Sequence, residues 1–488
     1  MIQQLFQSLL QFFTTPDKDW SIVTMPFMVL FIIFFAFFIF INRRRHTAML
    51  AYVVVFSLFF AYKSNGWLML LLPTTTLLSW WLTDRMRRKE GGGRKALMWL
   101  TVVVELLPLL YFKYTNFFIE IFNEMTASNF SPLSILLPVG ISFYSLQAVS
   151  YTVDVYKGKF TLDVNLLEYA FYLTFFPLLM AGPITRAEVL LPQVKERKPL
   201  DEKPIYAGLW LIIVGLVKKA LVADYIAQYN NWIFEDPMGF SGFEGAMGVL
   251  GYTLQIYLDF SGYSDMSIGI AAIMGFQLRE NFNFPYQSLN LTEFWRRWQI
   301  ALSTWFRDYV YIPLGGNRKG KFRTYLNCFI SMLLSGLWHG ASWMFVIWGA
   351  MHGVGLIIHK ACKGWLDKIP NTWYVKIIAT FITFVFVMVA WVFFRSSSVD
   401  TAVTLLNHIA VDFSWDYLPP FVSTRLMWTL FLVLGFALHG LRKSHSEKLK
   451  DWFVRSPWLV KLVIFILVMQ LVINLRQDNV QPFIYAQF

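Results

Sequence analysis

The chain has 488 residues, 57% of them hydrophobic and 15% charged, with a formal net charge of +12. Soluble domains carry about 25% charged residues, so this composition excludes a soluble globular protein. The positive charge lies in loops between apolar runs, the pattern of cytoplasmic loops facing anionic lipid, and calls for no nucleic acid.

Apolar runs long enough to cross a bilayer recur without strand-like alternation, which means helices rather than a barrel. The chain therefore reads as an all-α polytopic membrane protein, a single integral membrane domain over 1–488. Residues 1–14 form a first element. Ile2, Leu5, Phe6, Leu9, Leu10 and Phe13 share one helical face and glutamines take the other, as in a helix lying in the membrane interface. No charged start, short apolar core and cleavage site follow one another here, so no removed signal peptide is expected.

Ser21 to Ile41 is a first span ending against Arg43, Arg44 and Arg45, which places that end in the cytoplasm. Thr47 to Tyr62 and Gly66 to Leu82 form a hairpin of spans. It returns to the basic stretch Asp84 to Lys89 and a Gly91-Gly92-Gly93 loop. Ala96 to Phe112 is a span containing Glu105, a carboxylate either buried or facing a pore. Leu136 to Val153 and Leu166 to Met180 are weaker spans broken by Pro138, Gly140, Pro177 and Gly182-Pro183. Broken helices at membrane depth are tolerated where they are buried in protein or line a cavity. Gln193 to Lys203 reads as a cytoplasmic loop. Tyr206 to Ile226 is a span with Lys218 and Lys219 near one end, placed to snorkel.

Val249 to Phe276 holds YLDFSGYSDMSIG, where Asp259, Ser261, Tyr263 and Asp265 must face a cavity or each other. Ile377 to Phe394, Leu426 to Leu441 and Leu462 to Leu475 are the last spans, with a basic loop at Arg442, Lys443, Lys448 and Lys450. Length and charge predict about eleven spans in all.

The chemistry concentrates between Phe294 and Gly353. From Tyr325 to His359 there is no Asp, Glu, Lys or Arg. His339, in LWHG beside Trp338, lies in the middle of that run. An ionisable group there is costly to bury and is a functional candidate; the competing reading is a histidine hydrogen-bonded between helices. An imidazole can take a proton from a hydroxyl and return it, which an acyl transfer needs. His352 follows thirteen residues later, roughly 20 Å along a straight helix, so it needs a chain reversal to reach His339. Ala341-Ser342 could begin one, and His352 reads as structural. Trp295, Arg296, Arg297 and Trp298, then Ser303, Arg307 and Asp308, suit either interfacial anchoring or a mouth that grips an anionic donor. Arg318, Lys319, Lys321 and Arg323 fit the same role or an ordinary basic loop. The chain holds no zinc-protease, Walker-type, nucleophile-elbow or paired-cysteine motif, and no metal is expected.

FWRRWQIALSTWFRDYVYIPLGGNRKG, LLSGLWHGASWMFVIWGAMHG, YLDFSGYSDMSIGIAAIMGF, ENFNFPY, LLPVGISFYSLQAVSYTVDVY and MAGPITR together resemble the membrane-bound O-acyltransferase family, in its bacterial polysaccharide branch. The likeness covers 136–394, taken as the catalytic core. It implies a ring of membrane helices around a central tunnel, with re-entrant helices near its centre. His339 corresponds to the family's catalytic histidine. Gln299 falls where this branch usually has a second histidine; glutamine can hydrogen-bond but cannot shuttle protons. Trp295, Arg296, Trp298, Ser303, Arg307, Asp308, Trp338, Asp259 and Asp265 would line the donor path. Arg318, Lys319, Lys321 and Arg323 would meet coenzyme phosphates. The resemblance further implies acetyl-CoA as acyl donor, a polysaccharide acceptor such as alginate or peptidoglycan, a periplasmic SGNH-type esterase-like partner, membrane lipid as surroundings, and the bacterial inner membrane as location. The rival readings are a D-alanyl exporter for teichoic acids, a transporter without acyl chemistry, and a membrane scaffold that only recruits a partner.

Overall fold

A computed structural model describes residue 7 and residues 10–17, 19–196 and 200–475. Among them there are helices and no strands. The interfacial helix expected over 1–14 lies largely outside the described residues. Among the described residues, seven helical segments are long and apolar enough to cross a membrane, or eight if one bent pair counts as a span. This is short of eleven, because runs expected as separate spans join. The two spans expected at Thr47 to Tyr62 and Gly66 to Leu82 form one segment of 42 residues, His46–Arg87. Conversely, Ile141–Tyr156 has 16 residues and Leu166–Thr174 only 9, too few for a bilayer that needs about 20.

The chain divides into two compact units, Met1–Leu209 with Met266–Arg279, and Trp210–Asp265 with Glu280–Phe488. In the first, Met25–Arg44 and His46–Asn65 are apolar helices carrying a phenylalanine ladder. Phe27, Phe34, Phe56 and Phe60 surround Phe176, with Phe56 5.0 Å from it between ring centres. Phe176 begins a one-turn helix, Phe176–Leu179, after the helix Leu166–Thr174 has broken at Phe175. A break in lipid frees backbone groups that must find partners. The Ser57 hydroxyl accepts from the Phe176 N–H at 3.1 Å, and the Gln147 amide donates to the Tyr172 carbonyl at 2.7 Å. Gly140, at φ +87°, lies so close to this break that a Cβ there would sit 2.2 Å from the Leu179 carbonyl oxygen.

Glu105 is fully buried in this unit. Ser79 and Thr152 both donate to its Oε1, at 2.5 and 2.6 Å. With those protons committed, Tyr169 must donate to Ser79 at 2.6 Å and Thr83 to Thr152 at 3.1 Å. The carboxylate is thus buried among hydroxyls, one of the two readings its sequence context left open.

Three expected loops are partly helical. Gly91–Leu109 is a helix from its first glycine; the glycines occupy a first turn whose N–H groups lack intrahelical partners anyway. Ala187–Lys195 takes up the start of the stretch expected as a loop from Gln193. Lys443–Arg455 is a helix in place of the basic loop, because Phe453 is buried against Trp210, their rings 5.2 Å apart.

In the second unit, Lys218 and Lys219 lie within a π-helical stretch, Val217–Ala223, between Glu202–Leu216 and Asp224–Glu235. Contrary to the snorkelling expected of them, they turn inward. Lys218 pairs with Asp265 at 2.6 Å, and Lys219, 3% exposed, pairs with Asp224 at 2.7 Å and with Asp259. A buried cation is tolerable only when so paired. Widening the helix by one residue puts two consecutive lysines on the side facing the long helix Gly242–Ile273.

Candidate functional site

Gly320–His339 and Trp343–Leu366 are antiparallel neighbours joined by Gly340-Ala341-Ser342. Their seam is glycine. A Cβ on Gly336 would meet the Phe345 carbonyl oxygen at 2.2 Å, and one on Gly349 the Met332 carbonyl oxygen at 2.6 Å. This close approach delivers His339, the last residue of its helix and 2% exposed, against the second helix. Its ring lies 5.0 Å from Trp338, 4.9 Å from Trp348 and 5.5 Å from Phe394.

The reversal that could bring His352 back towards His339 does occur, at Gly340 to Ser342, yet the two rings pack on Trp348 rather than on each other. Trp348 is 4.8 Å from His352. His352 accepts at Nδ1 from the Trp295 indole N–H at 3.3 Å. Trp295, expected along the donor path, is thus buried and holds His352 in place.

Trp298 and Gln299 form the break between two short helices, Leu291–Arg297 and Ile300–Phe306. Asn281, from the ENFNFPY stretch, holds that break. Its carbonyl accepts from Ile300 N–H at 2.8 Å and its side chain from Ala301 N–H at 3.2 Å. Ser303 donates to the Trp298 carbonyl at 3.1 Å, so its hydroxyl serves the break as well. Gln299 sits at φ +43°, a left-handed conformation costly for a residue with a Cβ, and is 1% exposed. Strain of this kind persists where the surroundings over-determine it, and it clusters at functional sites. The Trp298 ring stands 4.9 Å from Trp391, which is 5.3 Å from Phe394 and stacked 5.8 Å from Trp348. Aromatic contacts therefore run without interruption from the residue preceding Gln299 to His339.

Buried polar atoms in native proteins are nearly all hydrogen-bonded. Along this stretch the Trp298 and Trp348 indole N–H groups, Gln299 Oε1 and His352 Nε2 have no partner among the described residues. Trp348, Asn281 and Phe394 were not named as site residues in the sequence; Trp348 and Asn281 lie in motifs already singled out, which is the signal that could have found them.

The remaining candidates lie apart from this cluster or are engaged elsewhere. Asp259 and Asp265 meet the lysines described above. Arg297 pairs with Glu293 at 2.6 Å while Arg296 is exposed. Arg307 and Asp308 pair with each other at 2.8 Å in a π-helical turn. Arg318, Lys319, Lys321 and Arg323 are exposed around the start of the histidine's helix. Their loop is tied down by Asn327, which donates to the Gly316 carbonyl at 3.0 Å.

Residues 161–399 match the family model of the membrane-bound O-acyltransferases. A protein named probable alginate O-acetylase from Azotobacter vinelandii is 41% identical over 366 residues, 72% of this chain and 72% of the relative. The peptidoglycan O-acetyltransferase of Helicobacter pylori is 36% identical over 70% of this chain and 74% of its own. The teichoic acid D-alanyltransferase of Bacillus subtilis is 27% identical over 52% of this chain and 68% of its own.

Proposed function

Because this chain belongs to the membrane-bound O-acyltransferase family, we propose that it moves acetyl groups from cytoplasmic acetyl-CoA across the bacterial inner membrane for O-acetylation of an extracytoplasmic polysaccharide. It is a multi-pass membrane acyltransferase, and the relatives named as acetyl-transferring match it at 41% and 36% identity. The observation that carries the reading is His339, buried at a helix end among Trp338, Trp348 and Phe394.

In this mechanism an acceptor hydroxyl gives its proton to a ring nitrogen of His339 as its oxygen attacks the thioester carbonyl. The carbon–sulfur bond then breaks and the departing thiolate takes the proton as coenzyme A leaves. Negative charge gathers on the carbonyl oxygen during attack, and a preorganised donor lowers that barrier. Trp348, whose ring lies 4.9 Å from the imidazole and whose buried indole N–H has no partner among the described residues, serves as this donor. Gln299 orients the thioester or acceptor through its amide. The apolar walls exclude water, the competing acceptor. The acceptor at the outer face passes the acetyl group to a periplasmic SGNH-type partner, which places it on alginate, peptidoglycan or a similar glycan.

His339→Ala, purified at wild-type yield, loses about 10²–10⁴ of the acetyl-transfer rate with radiolabelled acetyl-CoA. Near-normal transfer by that variant would remove the histidine from the mechanism. The D-alanyl reading rests on the 27% identical relative. Transfer from a D-alanyl carrier protein but not from acetyl-CoA would establish it in place of the acetyl one.

A further inference from the structure

The helix Lys443–Arg455 leads through Ser456 and Pro457 directly into the membrane-length helix Trp458–Leu475. It is pinned at both ends. Lys443 pairs with Glu280, and Phe453 is buried against Trp210. Pinning turns Lys448, Trp452 and Arg455 outward, spaced four and three residues apart and so along one face. Together with Asp451, Ser456, Pro457 and Val460 they line an open pocket of about 680 Å³.

The charge in this pocket is uneven. Asp451 is its one acid, and neither Lys448 nor Arg455 forms an ion pair among the described residues. The two cations stand seven residues apart, about 10 Å along the helix, which an anion between them can bridge with long side chains. Trp452 is 56% exposed and Trp458 67%. Such residues settle at the level of lipid headgroups. The helix that follows is only 11% buried within the protein along its apolar window, so its sides are left to acyl chains.

We propose that this pocket binds the headgroup of an anionic phospholipid. Lys448 and Arg455 take the phosphate, Trp452 lies beside the glycerol, and Val460 with the exposed side of Trp458–Leu475 receives an acyl chain. Inorganic phosphate would satisfy the cations but leave the apolar side of the pocket unfilled. The direct continuity with a lipid-facing helix is what selects the lipid. The site is independent of the acyl chemistry at His339.

Native mass spectrometry of the full-length protein released from detergent, titrated separately with phosphatidylglycerol and phosphatidylcholine, tests this. Wild type retains one more tightly held phosphatidylglycerol than the K448E/R455E variant, whose affinity at this site falls roughly 30-fold or more. K448R/R455K keeps the extra lipid. If K448E/R455E does not run as a monodisperse peak, K448Q/R455Q gives the same reading with less perturbation. Equal phosphatidylglycerol retention by wild type and both charge-removing variants overturns the proposal. So does displacement of the extra lipid by millimolar inorganic phosphate, which would make the pocket a free-anion site.

Discussion

Gln299 is where single atoms decide between readings. Its side chain is buried, its backbone strained and its Oε1 without a partner among the described residues. If it orients a reacting group, Gln299→His keeps substantial acetyl transfer, because imidazole can also hydrogen-bond there. Gln299→Leu loses about tenfold or more, the scale of a lost hydrogen bond to a group that charges up in the transition state. Wild-type kinetics for Gln299→Leu would leave the residue a mere helix break. Trp348 offers a sharper subtraction. Trp348→Phe keeps an aromatic ring between His339 and His352 and deletes only the N–H and part of the bulk. A donor to the developing oxyanion is worth about 10²–10³ in kcat, so kcat should fall on that scale with KM for acetyl-CoA little changed. A rise in KM alone would mean that the ring shapes the binding space and does no more.

At the scale of elements, the π-helical stretch Val217–Ala223 and the helix Gly242–Ile273 are joined by a buried ion pair, Lys219–Asp259, and a half-buried one, Lys218–Asp265. Lys219 is 3% exposed and meets both Asp224 and Asp259. Removing one partner of a buried pair leaves an uncompensated charge, typically at a cost of about 3–5 kcal/mol. Lys219→Met should therefore lower the thermal unfolding midpoint in detergent clearly. Lys219→Met combined with Asp259→Leu should recover part of the loss, since the double variant removes one of the two carboxylates that lose the Lys219 ammonium. An unchanged midpoint for the single variant would mean that these charges are hydrated rather than buried. The seam between Gly320–His339 and Trp343–Leu366 works by the opposite means, through the absence of side chains at Gly336 and Gly349.

At the scale of the whole molecule, the proposed mechanism requires a polyanionic donor to be drawn to the membrane surface. Exposed basic groups do this by raising the local concentration of the anion, an effect that salt screens. Reversing Arg318, Lys319, Lys321 and Arg323 to glutamate should raise KM for acetyl-CoA several-fold, most at low ionic strength, and leave saturated turnover nearly intact. A fall in turnover at fixed KM would give that loop a different task.

Membrane residence and the helical class could both be read along the chain. Apolar length, basic flanks and the absence of Asp, Glu, Lys and Arg from a long run are local properties, and lipid forces the backbone to satisfy itself locally. The motifs around His339 and Gln299 carried the family for the same reason. Partners could not be read this way. Lys218 and Lys219 looked like snorkelling side chains because nothing nearby in sequence announces that Asp259 and Asp265, some forty residues on, will meet them. The span count fell short of eleven because a short polar interruption, such as Lys63 to Asn65, can be carried inside a continuous helical segment as well as end one. Trp348 became a candidate only once folding stood its ring between two histidines thirteen residues apart. Hydropathy is summed along the chain, whereas ion pairs and ring contacts depend on which helix faces meet, and tertiary packing alone decides that.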